Sequence, residues 1–326
     1  MYPVIDGSTR ALKAAYAVAD GATRKIKTGY GVVNSVTKQF FMAEAFKYTG
    51  NYTESAVTIN GKAYTLYTLT TSGVLSINAA DVLFWMNGGG AGGGIYDERT
   101  SCKSGNGGGG GYVLSGNLEK GKHAIVIGPG GASNTDGSET SINGTLIAGG
   151  GKADGNGGSG GGGSVAAMWT SNAPTELQKL VFPGGTGAGV STYPFGLTTL
   201  KAHSGGGGSG GSVYEYGGAN QYAINGANGG TNGGDGSKRY DDDVAEEDDS
   251  ATGGTGGTYG GGRGGSSPYW WSSSGSWSGG NGATATFYGG GGGGGGVHTR
   301  DANIAGTGAG VGGKGYQGVV YIAIPA

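Results

Sequence analysis

The chain is short of most of what usually stabilises a folded protein. It has one cysteine, Cys102, in 326 residues, so no internal disulfide framework exists. Only 7 prolines are present and the Gly-X-Y period is missing, which excludes a collagen-type helix. Charged residues make up 13%, with 20 Lys+Arg against 22 Asp+Glu, leaving no basic footprint for nucleic acid or an anionic membrane. No apolar run is long enough to span a bilayer, and "MYPVIDGSTR" at the start lacks a signal-peptide core. The expectation is a protein folded in a cytoplasm, without membrane insertion. Helical periodicity is absent over any useful length. The best candidate for a short helix or 3₁₀ turn is "NAPTELQKLVF", residues 172–182.

What the chain has instead is glycine, 83 residues of it, together with 19 Tyr and 5 Trp. Glycine at this level reads as low complexity, yet disordered segments are poor in aromatics. The glycine-dominated runs lie at 88–94, 107–111, 157–163, 205–211, 229–236, 253–265, 289–296 and 306–315. Flexible tethers normally join separate domains, and so many of them within one fold is implausible. Glycine runs can also form extended left-handed helices of three residues per turn, whose N–H and C=O groups point outward. Without Cβ atoms such helices can pack closely enough to bond to one another, which satisfies groups that could not be buried unpaired. A stacked polyglycine-II bundle is the expectation.

Strand signals surround these runs. "AVTINGKAYTLYTL" (56–69) places Asn60-Gly61 between two alternating runs, the strongest short hairpin signal. "SGVLSINAADVLFWM" (72–86) adds two short strands. "GYVLSG", "KHAIVIG", "GTLIAGG" and the terminal "QGVVYIAIP" read as further strands. The first forty residues repeat with a period of 14, so that Lys13 aligns with Lys27 and Tyr16 with Tyr30. Each unit has a central turn signal, Asp20-Gly21 and Asn34-Ser35, which predicts a small β-meander. Hairpins are marginal alone, so this region should dock on something, and Lys13, Tyr16, Lys27 and Tyr30 are its attachment candidates. The expected fold is all-β: a small β-sandwich or meander framework joined to the polyglycine-II bundle with exposed loops. Residues 1–42 are the attachment region and 43–326 the glycine-rich domain. Within it, 43–150 is mainly framework, 151–316 bundle and display loops, and 317–326 a closing strand.

The loop "GGSSPYWWSSSGSWSGG" (264–280) carries Tyr269, Trp270, Trp271 and Trp277 among serines, a composition shared with paratopes and sugar-stacking platforms. The same rings could instead cap an open bundle end. Other aromatic candidates are Tyr214, Tyr216 and Tyr222, Tyr193 and Phe195, and Tyr240. Asp241, Asp242, Asp243, Glu246, Glu247, Asp248 and Asp249 form an acidic cluster that either stays solvated or recruits Ca²⁺ or Mg²⁺. It lacks EF-hand spacing, so no cofactor is expected there and the cation is the alternative. "GNLEKGKH" and "GAGVGGKG" approach a P-loop but lack the Ser/Thr after lysine. A single "RGG" at Arg263 is too little for an RNA-binding tract. His123, His203 and His298 are scattered, and no metal-ligand spacing involves Cys102. No regular threonine-bearing flat face suggests ice binding. Two distant carboxylates could converge for glycan cleavage, but no motif marks them. No enzyme activity is expected.

"YTLTTSGVLSINAADVLFWMNGGGAGGG", "GNGGGGGYVLSGNLEKGKHAIVIGPGG" and "GAGVGGKGYQGVVYIAI" together resemble a glycine-rich domain family of bacteriophage tail proteins over residues 62–326. The 14-residue repeat resembles those opening tail and baseplate proteins of phages and prophages of Gram-positive bacteria. In the related tip adhesins of T-even-like long tail fibres, stacked polyglycine-II helices form the core and variable loops bind the host surface. The resemblance implies a virion tail component, assembled in the host cytoplasm and exposed on the particle. It would be a receptor-binding adhesin, with a purely architectural tail or baseplate protein as the alternative. Its implied partners are other tail, baseplate or fibre proteins and a host glycan or surface protein, with homo-oligomers left open.

Overall fold

The structure is a computed structural model. It describes residues 45–94, 104–163, 185–186, 193–216, 226–230, 253–257, 260–266, 279–300 and 308–326, together with strand segments elsewhere. Side chains of 1–44, 165–168, 178–181, 213–224, 238–239, 298–300 and 308–309 lie outside this description.

The N-terminal strands are β1 (Val4–Ile5), β2 (Ser8–Thr9), β3 (Tyr16–Ala19), β4 (Ala22–Lys25), β5 (Thr28–Val33) and β6 (Val36–Met42). They pair as three separate two-stranded hairpins, β1–β2, β3–β4 and β5–β6. Ala19 faces Ala22 and Val33 faces Val36, so each repeat unit closes across its expected turn. The continuous meander read from the sequence is corrected to independent hairpins: β4 pairs with β3 and β5 with β6, and β4 and β5 belong to different sheets.

The framework consists of β7 (Phe46–Tyr48), β8 (Tyr52–Ile59), β9 (Lys62–Leu69), β10 (Gly73–Ile77), β11 (Val82–Asn87), β12 (Val113–Leu118), β13 (Gly121–Val126), β14 (Thr140–Ile142) and β15 (Leu146–Ala148). Further on come β16 (Val165–Met168), β17 (Gln178–Val181), β18 (Ser212–Tyr216), β19 (Asn220–Ile224), β20 (Lys238–Arg239), β21 (Val297–Arg300), β22 (Gly308–Ala309) and β23 (Val319–Pro325). Two antiparallel five-stranded sheets form a sandwich, one ordered β15-β14-β13-β10-β7 and the other β12-β11-β23-β9-β8. The fold is all-β. Asn60 and Gly61 both take positive φ, 48° and 78°, the type I′ geometry whose twist matches the strands it joins.

Leu69, Leu75, Val82, Phe84, Met86, Ile125, Ile142, Val320 and Ile322 fill the space between the sheets. The second sheet is also covered on its other face, where Ile59, Leu66, Trp85, Val319 and Tyr321 meet Phe195, Leu197, Leu200 and Tyr288. That explains why the apolar terminal strand β23 is a continuous buried run rather than an alternating one. Segment 172–182, read as a short helix, contains strand β17 paired with β16, so that expectation is wrong. The 3₁₀ turn lies instead at Pro194–Gly196, where proline presets φ.

Beyond β11 the chain enters the glycine runs, and their hydrogen bonds follow a rule. In the run 289–296, Gly291, Gly294 and Val297 donate to Gly205, Gly208 and Gly211 at 2.8, 2.9 and 2.9 Å. Gly292 and Gly295 donate to Ala91 and Gly94, and Gly293 and Gly296 to Ala283 and Gly280. Its carbonyls accept in the same rhythm. Gly289, Gly292 and Gly295 accept from Gly111, Gly108 and Gly105, while Gly290, Gly293 and Gly296 accept from Tyr316, Gly313 and Gly310. Gly291 and Gly294 accept from Gly262 and Gly265. Each partner segment recurs at every third residue.

These neighbours also bond to one another in a closed ring. Gly208 donates to Gly262, Ala283 to Arg263, Gly282 to Val311, Gly93 to Gly313, Ala91 to Gly109, and Gly207 to Gly108. Run 289–296 is fully buried at the centre, so it is held rather than slack. A Cβ built at Gly291, Gly292 or Gly293 would overlap the carbonyl oxygen of Gly108, Gly313 or Arg263 respectively.

Candidate functional site

The hydrogen bonds also set a level along the runs. At the end away from the sandwich, Gly105 donates to Gly295, Gly210 to Gly105, Gly265 to Gly294, Gly211 to Gly265, Gly280 to Ser266, and Gly310 to Gly296. Gly94 lies at the same level, accepting from Gly295. The residues flanking 95–103 and 267–278 are therefore gathered together. Tyr269, Trp270, Trp271 and Trp277 fall within 267–278, outside the described residues.

At this same end two parallel runs continue as two parallel strands. Run 205–211 becomes β18 and run 289–296 becomes β21, with Ser212 opposite Val297 and Glu215 opposite Arg300. β19 folds back on β18 and sets Tyr214 directly opposite Tyr222, and Tyr216 opposite Asn220. Three aromatic candidates thus share one hairpin in a sheet ordered β20-β19-β18-β21-β22. β20 joins its edge through Arg239 opposite Ala223. The chain then passes to Tyr240 and the acidic cluster Asp241, Asp242, Asp243, Glu246, Glu247, Asp248 and Asp249, which lie outside the described residues. It returns at Gly254, whose amide donates to Ser209 at 2.9 Å. β16 packs beside β18 and β19.

Tyr193 and Phe195 are not brought to this end. Phe195 packs against the second sheet at the sandwich junction, in the left-handed region at φ 53°. A bulky residue there is strained and persists only because its surroundings fix it. Tyr16 lies on β3 and Tyr30 on β5; Lys13 and Lys27 lie outside the described residues.

The junction holds residues that the sequence did not mark. Asn87, fully buried at the end of β11, donates through Nδ2 to Ser204 Oγ at 2.9 Å and to the Tyr288 carbonyl at 3.1 Å. Its Oδ1 accepts from the Val319 amide at 2.9 Å. One amide side chain thereby joins two strands of the second sheet to two glycine-run entries. Beside it His203 is 0% exposed, stacked on Phe287 with ring centres 4.8 Å apart, and near Trp85 and Tyr321. Neither ring nitrogen of His203 has a hydrogen-bond partner. Burial, aided by the positive charge of Lys201, pushes its pKa down to about 3. Lys201 itself lies over the Phe287 ring, 3.8 Å from its centre. Burial likewise pushes the Tyr321 phenol up, with Tyr288 adding to the shift.

Asparagines recur where runs meet. Asn156, Asn228 and Asn281 accept through Oδ1 from the amides of Thr186, Thr255 and Val311 at 2.8, 2.8 and 2.9 Å. Each substitutes a side-chain carbonyl for a main-chain acceptor. The only sequence signal was an Asn inside a glycine run.

Among the described residues no group of three or more His, Cys, Asp or Glu could hold a metal ion. No helix among them is long and apolar enough to cross a membrane. No protein-family model matches the chain. No curated protein matches it either.

Proposed function

We propose that the glycine runs are polyglycine-II helices packed in a hexagonal lattice, and that this lattice displays recognition loops as the receptor-binding adhesin of a bacteriophage tail. The three-residue recurrence of partners around Gly289–Gly296 supports the first part, because it is the rotation per residue of such a helix. The main observation for the second is the convergence of Gly94, Gly210, Gly265, Gly280 and Gly310 at the end away from the sandwich. Connections starting there share one rigid base, the usual arrangement for binding loops on a scaffold. The aromatic residues Tyr269, Trp270, Trp271 and Trp277 carry recognition, with Tyr214, Tyr216 and Tyr222 as further contributors. The N-terminal hairpins serve attachment to the virion. The role is non-enzymatic, and the resemblance to glycine-rich tail proteins gives the virion setting.

Deleting residues 267–278 in the phage tests this reading. Particles that assemble normally but no longer adsorb to cells are expected. Failure of assembly with adsorption retained in the few particles formed would replace the adhesin by an architectural subunit.

A further inference from the structure

Among the described residues, strand β8 presents an open edge that natural sheets seldom leave bare. It is eight residues long, contains no Pro and no Lys, and pairs with β9 without a register shift. Its first five residues and Thr58 are exposed. The opposite edge of the sheet, β12, is approached by β15. In a two-residue hairpin the flanking pair, Ile59 and Lys62, exchanges both main-chain bonds, and such pairs then alternate. The Thr70 amide, bonded to the Asn51 carbonyl at 3.1 Å, keeps the same phase at the far end. Tyr52, Glu54, Ala56 and Thr58 therefore direct their N–H and C=O groups outward.

β5 and β6 form a sheet of their own in this structure, and we infer that this edge is the site on which that N-terminal hairpin docks, β6 adding antiparallel to β8. The argument is one of reach and direction. Three residues separate Met42, the end of β6, from Phe46, which spans at most about 14 Å. Phe46 stacks on Tyr67 with ring centres 3.7 Å apart and lies 5.0 Å from Tyr52. Tyr67 is opposite Glu54, so Phe46 marks the start of β8. Sheets in a sandwich are about 10 Å apart, within that reach. With its end within that reach of Tyr52, β6 can lie along β8 only by running back against it. Seven residues of β6 then meet eight of β8. A two-stranded hairpin is marginal alone, and an unprotected edge invites a strand, so one contact satisfies both. The second sheet would grow to seven strands and fix the attachment region rigidly to the display domain, independently of whether the far end binds a host.

Hydrogen exchange and crosslinking on the full chain test this. Amides of Glu54, Ala56 and Thr58 should exchange about 100-fold more slowly than in an unstructured peptide. In a Cys102→Ser background, Ala56→Cys combined in turn with Thr37→Cys, Lys38→Cys or Gln39→Cys should give one pair closing an internal disulfide in a monomer. Ala56→Pro removes only an outward N–H. It should raise exchange across residues 36–42 while leaving Ser55 and Val57 protected. Covalent dimers would overturn the inference in favour of a second copy on this edge. Peptide-like exchange at Glu54, Ala56 and Thr58 would overturn it outright.

Discussion

The amide of Gly292 donates to the carbonyl of Ala91 at 2.8 Å, joining two segments far apart in the sequence through main-chain atoms alone. No side chain takes part, and at Gly292 a Cβ would run into the Gly313 carbonyl. Replacing Gly291 and Gly293 together by Ala should therefore destabilise the protein, because the new methyls meet the carbonyls of Gly108 and Arg263. Overpacking costs about 1–3 kcal/mol per site, so a combined loss of about 2–6 kcal/mol is expected in denaturant unfolding. A slack tether would gain about 0.4–1 kcal/mol per site from the same change.

Asn87 is the second point of sensitivity. Asn87→Ala leaves the buried Val319 amide without its Oδ1 acceptor and takes a donor from Ser204 Oγ, while the Tyr288 carbonyl keeps the Ser204 amide. An unpaired buried group costs about 1–3 kcal/mol, so a loss of about 1–3 kcal/mol follows. Asn87→Asp is more informative. Its carboxylate would face the Tyr288 carbonyl, so its folded pKa lies above the ordinary value. The variant should be closest to wild type at low pH and lose stability relative to it as pH rises through that pKa, read as a melting-temperature gap to wild type that widens with pH.

What the sequence made legible was local. Asn60-Gly61 announced a hairpin through its turn chemistry, and Asn143-Gly144, which carries the same signal, closes β14 on β15 with φ 55° and 66°. The repeat units likewise carried their own turns. Lateral order was not legible, because glycine runs bond through the backbone and no side-chain pattern says which run lies beside which. Nothing near Asn87 or His203 in sequence points to their meeting. Residues 178–181 were misread because Gln, Lys and Leu favour helices in isolation, whereas pairing with β16 decided the outcome.

His203 makes stability depend on pH with a definite sign. Its folded pKa, about 3, lies below the ordinary value of 6.5 because burial disfavours the charged ring. Above pH 6.5 neither state binds the proton and the contribution is complete. Between 6.5 and 3 only the unfolded chain is protonated, so stability falls by about 1.4 kcal/mol per pH unit. His203→Phe keeps the stack on Phe287 and removes the titration. The difference in unfolding free energy between wild type and variant should be flat above pH 7 and move steadily in favour of the variant from pH 6 to 4. A difference that does not change with pH would mean that His203 is not held neutral.

Binding and folding should separate between the two ends of the molecule. Trp270→Ala with Trp271→Ala alters residues assigned to binding in the proposed function, and the unfolding free energy should stay within about 0.5 kcal/mol of wild type. Under the proposed adhesin role, adsorption should drop by about 100-fold or more, as expected when two aromatic anchors of a recognition surface are removed. Phe195→Ala should do the reverse. Phe195 packs against the second sheet, so truncation should cost about 2–4 kcal/mol. Phe195→Gly should regain part of that loss by relieving the positive φ. Adsorption by particles carrying either Phe195 variant should remain intact at temperatures where the domain is folded. If the tryptophan pair instead lowers stability with adsorption unchanged, those rings cap the bundle and recognition resides elsewhere.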